Sequence, residues 1–496
     1  MNQKQKISVV WFKRDLRLHD NEAIWNALES GAPVLFLYVF ENLLRDDPHY
    51  SERHWNFIKQ SLEDINNALK PFNTKVLAVK GEMISTLNQL QNHYQVTKIF
   101  SHQETGLLIT YNRDKEFQRY CRNNRITWKE NINNGVFRGL SNRESWFEKW
   151  EEYMNQVQFK FEATAQDFIS LQEIDFLSSY LQIASLYTEG NTKHQHGGTS
   201  MAWKYANSFF SKRHFNYMLH ISQPENSRSS CSRLSPYIAW GNVSIREIFQ
   251  RAKQVKREVK NKHHLSAFLS RLRWQAHFIQ KFEMEYTMEM ASVNKGYHKL
   301  KKALSKKYQE AWQTGQTGYP LIDAAMRCLN ETGYINFRMR AMLVSFFTHL
   351  LWQPWQGATH HLSRNFLDFE PGIHFPQLQM QAGETGINNL RIYNPIKNGI
   401  EHDPGGVFIK KWVPELAHLP IQFVHEPSLM TPLDQQFNNC ILGKDYPKPI
   451  VALKEHHKHA RDILWGMKND SEVKSENKRI LMKHTLKNRK RLLKDE

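Results

Sequence analysis

No stretch of the chain reaches the roughly 18 consecutive apolar residues that a membrane span requires, and the mean hydropathy is −0.64. Cysteine is scarce, with four in 496 residues: Cys121, Cys231, Cys328 and Cys440. None lies near another, so no zinc knuckle, iron–sulfur run or disulfide framework is legible, and no metal is expected. Isolated thiols of this kind suit a reducing compartment. No GxGxxG follows the first strand-like run, which removes the usual dinucleotide fingerprint, and no internal repeat is present. The N-terminus sets charges on both sides of a short apolar run, a pattern of a buried strand rather than a secretory signal. A cytoplasmic monomer with no membrane partner is the expectation.

Positive charge is abundant. Lys and Arg total 67 against 49 Asp and Glu, giving +18 and a pI near 9.5. Such a balance points to a polyanion, with nucleic acid ahead of an anionic membrane surface. Part of the excess lies in Lys474–Lys494, which reads as a solvated arm. Hydrophobic residues at 40% and charged residues at 23% are ordinary for a globular chain, and the length allows two domains or more. The 14 tryptophans fit a large helical core as readily as a planar ligand.

The opening third alternates β-rich runs with amphipathic ones. Expected strands are Ile7–Phe12, Val34–Phe40, Lys75–Val79, Lys98–Ser101 and Ile126–Lys129, with helices over Glu52–Leu69 and Ile84–Tyr94. This alternation predicts a five-stranded parallel, Rossmann-like α/β domain over 4–135. A linker follows over 136–200, where the polar, glycine-paired run Asn191–Ser200 reads as an exposed loop. Helical periodicity then dominates, in Met201–His214, His263–Phe282, Leu321–Leu329 and Arg338–Trp352. An all-α domain over 201–467 and a basic tail over 468–496 complete the expected organisation.

Several blocks carry a specific resemblance. Val9-Val10-Trp11-Phe12-Lys13-Arg14-Asp15-Leu16-Arg17-Leu18-His19-Asp20-Asn21 resembles the entry to the antenna domain of photolyases and cryptochromes. Cys231-Ser232-Arg233-Leu234-Ser235-Pro236-Tyr237 resembles that family's FAD-pyrophosphate segment, and hydroxyls, N–H groups and an arginine beside a helix start suit an anion. Gly315 through Arg327 resembles G-x-T-G-Y-P-x-V-D-A-A-M-R, and Arg391–Pro395 and Phe408–Leu416 resemble two further family segments. The resemblance implies an FAD cofactor held by Tyr217, Ser232, Arg233, Leu234, Ser235, Arg340, Asp368, Glu370 and His374. It also implies a lesion pocket and DNA contacts from Arg271, Trp274, Gln275, Arg338, Met380, Asn398, Lys410 and Lys411. The same resemblance gives Arg340, Asp368, His374 and Trp274 the catalytic roles.

The departures are informative. Cys231 replaces a threonine, Arg271 stands where Glu or Gln is usual, and Gln275 replaces an arginine. Asn336-Phe337 lacks the histidine that repairers of the (6-4) lesion use. His374 takes the position that faces flavin N5. Leu378 replaces the first tryptophan of the photoreduction chain, Trp355 keeps the middle position, and Lys302 takes the outer one. Electron transfer is therefore expected through Trp355, with rerouting through Trp352 or Tyr393.

By resemblance, the function is light-driven repair of cyclobutane pyrimidine dimers in ultraviolet-damaged DNA, a deoxyribodipyrimidine photolyase activity, through binding that is salt-dependent and nearly sequence-blind. A blue-light cryptochrome, a (6-4) repairer and a non-enzymatic single-strand binder are the alternatives. An antenna chromophore (folate, deazaflavin or lumazine) is an open expectation at Ser101–Gly106, the C-terminal edge of a strand.

Overall fold

The computed structural model describes residues 4–188 and 193–485. Five parallel strands, β1 Lys6–Phe12, β2 Val34–Glu41, β3 Leu77–Gly81, β4 Gln95–His102 and β5 Thr127–Asn131, lie in the order β3-β2-β1-β4-β5. Every residue of β2 is buried, as expected of a parallel strand covered on both faces. Helices α1 Glu22–Leu28, α2 Glu52–Leu69, α3 Met83–His93 and α4 Leu108–Asn123 cross between the strands. The third strand begins two residues later than the sequence pattern predicts, because the Val76 N–H is taken by Asn66 Oδ1 at 2.8 Å instead of a neighbouring strand.

The stretch 136–200 is structured. It contains α5 Trp146–Asn155 and α6 Leu171–Ser178, with Trp146 and Trp150 fully buried. It also returns along the sheet, where Ile169 N–H donates to Val34 O at 3.1 Å and Ala184 N–H to Ala78 O at 2.9 Å. Asn191 and Thr192 lie outside the described residues, but Gln195, Gly197 and Gly198 of that polar run are buried, so the run is anchored rather than an exposed loop. Gly197 N–H donates to Gln60 Oε1 at 2.9 Å, and Tyr237 OH to His196 O at 2.9 Å.

The rest is helical: α7 Thr199–Ser211, α8 Ile245–Glu258, α9 His263–Met284, α10 Pro320–Thr332, α11 Phe337–Ser345, α12 Gln356–Asn365, α13 Pro371–Gln381, α14 Leu453–Asn469 and α15 Ser471–His484. The long helix expected over Arg338–Trp352 stops at Ser345. A wider turn follows, closed by Leu351 N–H to Phe346 O at 2.9 Å, and Trp352 leaves it at φ +54°. The described part of the C-terminal basic run is a docked helix and not a solvated arm, since Val473, Ile480 and His484 of α15 are buried. No helix among the described residues is long and apolar enough to cross a membrane.

The two domains share one apolar core. Val10, Phe12, Phe36 and Phe40 belong to the same cluster as Trp240, Phe268 and Phe375, while Trp11, Leu35 and Leu37 pack against the opposite layer of helices. The junction joins the first two motif blocks. Arg14 Nε donates to Ala239 O at 3.1 Å, Arg17 NH1 to Gly241 O at 3.2 Å, and Leu16 N–H to Trp240 O at 3.2 Å. Asp20 accepts from Arg246 and from Ser244 Oγ. Gly241 is required there: its φ is +75°, and a Cβ would stand 2.3 Å from Arg14 O. The third block is scaffold. Asp323 is fully buried and accepts from Thr317 N, Thr317 Oγ1, Gly318 N and Tyr446 OH at 2.5–3.1 Å.

Candidate functional site

The segment before the short helix Ser235–Ala239 forms one wall of a buried polar cluster. Arg233 takes φ +59°, which turns its guanidinium over the Tyr334 ring at 3.7 Å. Gln195 fixes it from behind, accepting from Arg233 NH2 at 2.8 Å and donating to Arg233 O at 2.9 Å. Arg213 donates to the carbonyls of Cys231, Ser232 and Tyr205, and Arg228 donates to Tyr334 O at 3.1 Å. These carbonyl bonds hold the loop of Ser232, Leu234 and Ser235 in shape. None of Arg213, Arg228 and Arg233 has a carboxylate within ion-pair distance among the described residues, whereas Arg340 pairs with Asp368 at 2.8 Å. Burial lowers the pKa of Arg213 and Arg233, and each guanidinium also feels another nearby. Burial pushes the Cys231 thiol up to about 12.

The opposite wall comes from α9, α11 and α13, of which α13 packs on both of the others. Arg340 is further held by donation to Ile335 O at 3.0 Å and lies 4.0 Å over Phe366. The second oxygen of Asp368, Oδ1, is buried without a partner. Tyr217 is buried against Phe268, and its hydroxyl lies within electrostatic reach of Cys231, Arg271 and Tyr334. His374 is buried and donates from Nε2 to Thr359 O at 3.1 Å, leaving Nδ1 as an acceptor. Burial pushes its pKa down to about 3, helped by His49 and Arg340, so the imidazole is neutral at ordinary pH. Glu370 faces Arg14 of the α/β domain at 3.6 Å, and burial raises its pKa.

Arg271 and Trp274 stand one turn apart on the exposed side of α9, with Trp274 41% exposed and edge-on to His277 at 5.4 Å. Gln275, Arg338 and Met380 are half-buried; Arg338 reaches Ser222 Oγ at 3.5 Å and lies 5.9 Å from the Tyr393 ring. Asn398 differs, because its amide donates to Asn394 O inside its own turn. Lys411 pairs with Glu225 at 2.6 Å, and Lys410 is half-buried beside it. Sequence reasoning missed Tyr334, which lies against Arg233 and Arg340 and within reach of Cys231 and Asp368. Its only signal was an aromatic one turn ahead of Arg338.

Trp355 is fully buried, and its Nε1–H donates to Ser292 Oγ at 3.1 Å, which donates to Glu384 at 2.6 Å. Lys302 is buried too. It pairs with Glu384 at 3.2 Å and holds its ammonium 4.7 Å from the centre of the Trp352 ring.

At the C-terminal strand ends, the segment Ser101–Gly106 is drawn into a dense ionic network. Arg113 pairs with Glu41, Glu104 and Asp114. Lys13 pairs with Asp114 and Glu130, and Arg138 with Asp114, Glu130 and Glu283. Burial raises Glu41 to about 7 despite its arginine.

A doubly covered parallel sheet is thus joined to a helical domain with a buried cluster of arginines that lack carboxylate partners among the described residues, a setting that suits an anionic ligand. The DNA photolyase family pattern matches residues 8–138, and that of the FAD binding domain of DNA photolyase matches residues 268–466. The chain is 24% identical over 509 residues to the deoxyribodipyrimidine photo-lyase of Alkalihalophilus pseudofirmus, covering 95% of this chain and 100% of that protein. It is 28% identical over 506 residues to cryptochrome-2 of Arabidopsis thaliana, covering 92% and 78%. The solved cryptochrome of Synechocystis sp. superposes with a TM-score of 0.83 at 22% identity, over 93% of this chain and 100% of that one. The chain belongs to the photolyase/cryptochrome family and carries its FAD-binding domain. The residues fit that cofactor: Arg233 Nε and Asp368 Oδ1 are buried without partners, offering a donor and an acceptor to a ligand that brings both phosphate and ring N–H groups.

Proposed function

We propose that the protein is a deoxyribodipyrimidine photolyase that repairs cyclobutane pyrimidine dimers in DNA, acting as a cytoplasmic monomer. A reduced FAD bound in this domain would supply the light-driven one-electron chemistry that splits the dimer. Arg213, Arg228 and Arg233 form a positive wall suited to the pyrophosphate, and the Arg340–Asp368 pair, with the spare Asp368 oxygen, suits the flavin ring. Neutral His374 offers Nδ1 as an acceptor for a proton at the facing ring nitrogen. The observation that carries the proposal is the pairing of exposed Trp274 and Arg271 on one turn, with Arg271 within reach of the buried cluster through Tyr217. An aromatic face and a guanidinium at the mouth of a pocket suit a damaged base pair flipped from the stack. Lys410, Lys411 and Arg338 add charge for the phosphates.

Asn336 argues against the (6-4) lesion: its side chain accepts from Met339 N at 3.0 Å and donates to Ile221 O at 3.2 Å, so it caps α11 and has no proton to relay. Trp355, with Ser292 as its hydrogen-bond acceptor, is the proposed electron donor for photoreduction. Trp352 is disfavoured, because the Lys302 ammonium beside its ring opposes a positive hole. An antenna folate, deazaflavin or lumazine would meet strand-end side chains already committed to one another. A cryptochrome-type photoreceptor is the second reading, favoured by Leu378 at the interrupted relay.

The test is a repair assay on the purified, chemically reduced flavoprotein with dimer-containing DNA, in blue light and in darkness. Light-dependent loss of dimers is expected. Intact dimers, with reduced flavin bound, would overturn the repair reading in favour of the photoreceptor.

A further inference from the structure

A cavity of about 470 Å³ opens where the first turns of α2, the segment around His194 and Gln195, and the C-terminal end of α12 meet. Ser51, Arg53, Asn56 and Gln60 line one side, and Arg364 and Asn365 the other. It is separate from the flavin pocket: His54, the next residue of α2, is buried behind it and bonded to Phe366 O at 2.9 Å, and Phe366 packs against Arg340.

The charge of this cleft is unbalanced. Arg53 donates to the carbonyls of Leu329, Asn330 and Asn365 at 2.7–3.5 Å, and these neutral acceptors hold its geometry without cancelling its charge. Arg364 is exposed and has no hydrogen-bond acceptor for its guanidinium and no ion pair among the described residues. Burial and the nearby Arg364 push the Arg53 pKa down to about 10, and the same two arginines help press the half-buried His361 down to about 4. Glu52, the one carboxylate in the lining, is exposed and forms no ion pair among the described residues. The positive end of the 18-residue α2 adds to the same field. Two arginines lining one cleft with no carboxylate partner among the described residues are costly unless an anion sits near them, and their planar donors match phosphate oxygens. The volume is that of a small-molecule pocket. Beyond the arginines, the Asn56 amide makes no hydrogen bond of its own, and Gln60 engages Gly197 only through its oxygen, which leaves amide donors for a polar body.

We propose that this cleft binds a small phosphate-bearing molecule of mononucleotide size, with the phosphate between Arg53 and Arg364 and the polar body against Asn56 and Gln60. The site is independent of the light reaction proposed above. Its wall nevertheless touches the flavin pocket, since Gln195 lines the cleft and bonds Arg233 at both ends of its amide.

Calorimetric titration of the flavin-loaded full chain with adenosine 5′-monophosphate, inorganic phosphate and adenosine tests this, because bound flavin occupies the other nucleotide pocket. The monophosphate should bind more tightly than phosphate, and adenosine should not bind detectably. Arg364→Ala, an exposed change that leaves folding and flavin content intact, should weaken monophosphate binding about tenfold, with Arg364→Lys intermediate. The proposal is overturned if the monophosphate does not bind at millimolar concentration, if adenosine binds equally well, or if Arg364→Ala leaves the affinity unchanged.

Discussion

The molecule contains two buried regions rich in charge, and they are built on opposite terms. At the strand ends, Lys13, Arg14, Arg113 and Arg138 each have at least one carboxylate within 4.0 Å. In the helical pocket, Arg213, Arg228 and Arg233 have none, and Asp368 serves Arg340 alone. A buried network whose charges balance holds a structure together, whereas a buried excess of one sign awaits a ligand of the other. By that contrast the first region is a clamp between domains, and the second suits the cofactor pocket proposed above.

The contrast can be broken by mutation. Arg113→Met strands Glu41 and Glu104 without their shared cation and should cost about 3–5 kcal/mol, read by denaturant unfolding of the flavin-free protein, while flavin affinity in the folded fraction stays unchanged. A large loss of flavin affinity with little loss of stability would show that the strand-end region is the ligand site instead.

Acid sharpens the comparison. His54, His349 and His374 are all buried in or beside the helical domain, with pKa values pushed down to about 3 by burial. Below the ordinary value of 6.5, the unfolded chain takes up protons that these folded side chains refuse until about pH 3. Stability therefore falls with acidity across that window, by up to about 1.4 kcal/mol per pH unit for each histidine. Replacing His349 by Gln should flatten the slope of stability against pH between 6 and 4 by about one such increment.

Arg233→Ala is the converse of the strand-end variant. It should weaken flavin retention about 100-fold, or nearly 3 kcal/mol, with apoprotein stability changed by less than about 1 kcal/mol; equilibrium dialysis against free FAD measures the first. The smallest effect is expected at Lys411, whose pair with Glu225 is exposed and half-exposed at its two ends. Lys411→Ala should leave stability nearly unchanged and reduce the salt dependence of DNA binding by about one counterion. An unchanged salt slope would remove Lys411 from the DNA surface.

Much of this was legible in the sequence, and the limits are physical. The parallel five-stranded sheet follows from strand–helix alternation, and the bounds of α2 coincide with its apolar period. The wider turn after Ser345 was not legible, because Phe346–Leu350 keeps an apolar pattern compatible with either winding. The packing of 136–200 was hidden as well, since its anchors, Trp146, Trp150 and Ile169, are spaced by contacts with β2 and α8 and not by a period of their own. Motif matching singled out Arg233, Arg340 and Asp368, which lie together around Tyr334. It could not see that Glu370 turns to Arg14, that Asn398 bonds its own turn, or that Tyr334 lies between the arginines, because each depends on a partner distant in sequence.

The bond from Arg14 to Ala239 spans 225 residues, and Gly241 leaves no room for a looser approach. Forming that contact closes a very long loop, a slow event for a chain emerging from synthesis with its N-terminal half first. The segment that carries Arg233 is therefore expected to take its final shape only against the folded sheet, with the α/β domain as the template on which the proposed cofactor pocket matures.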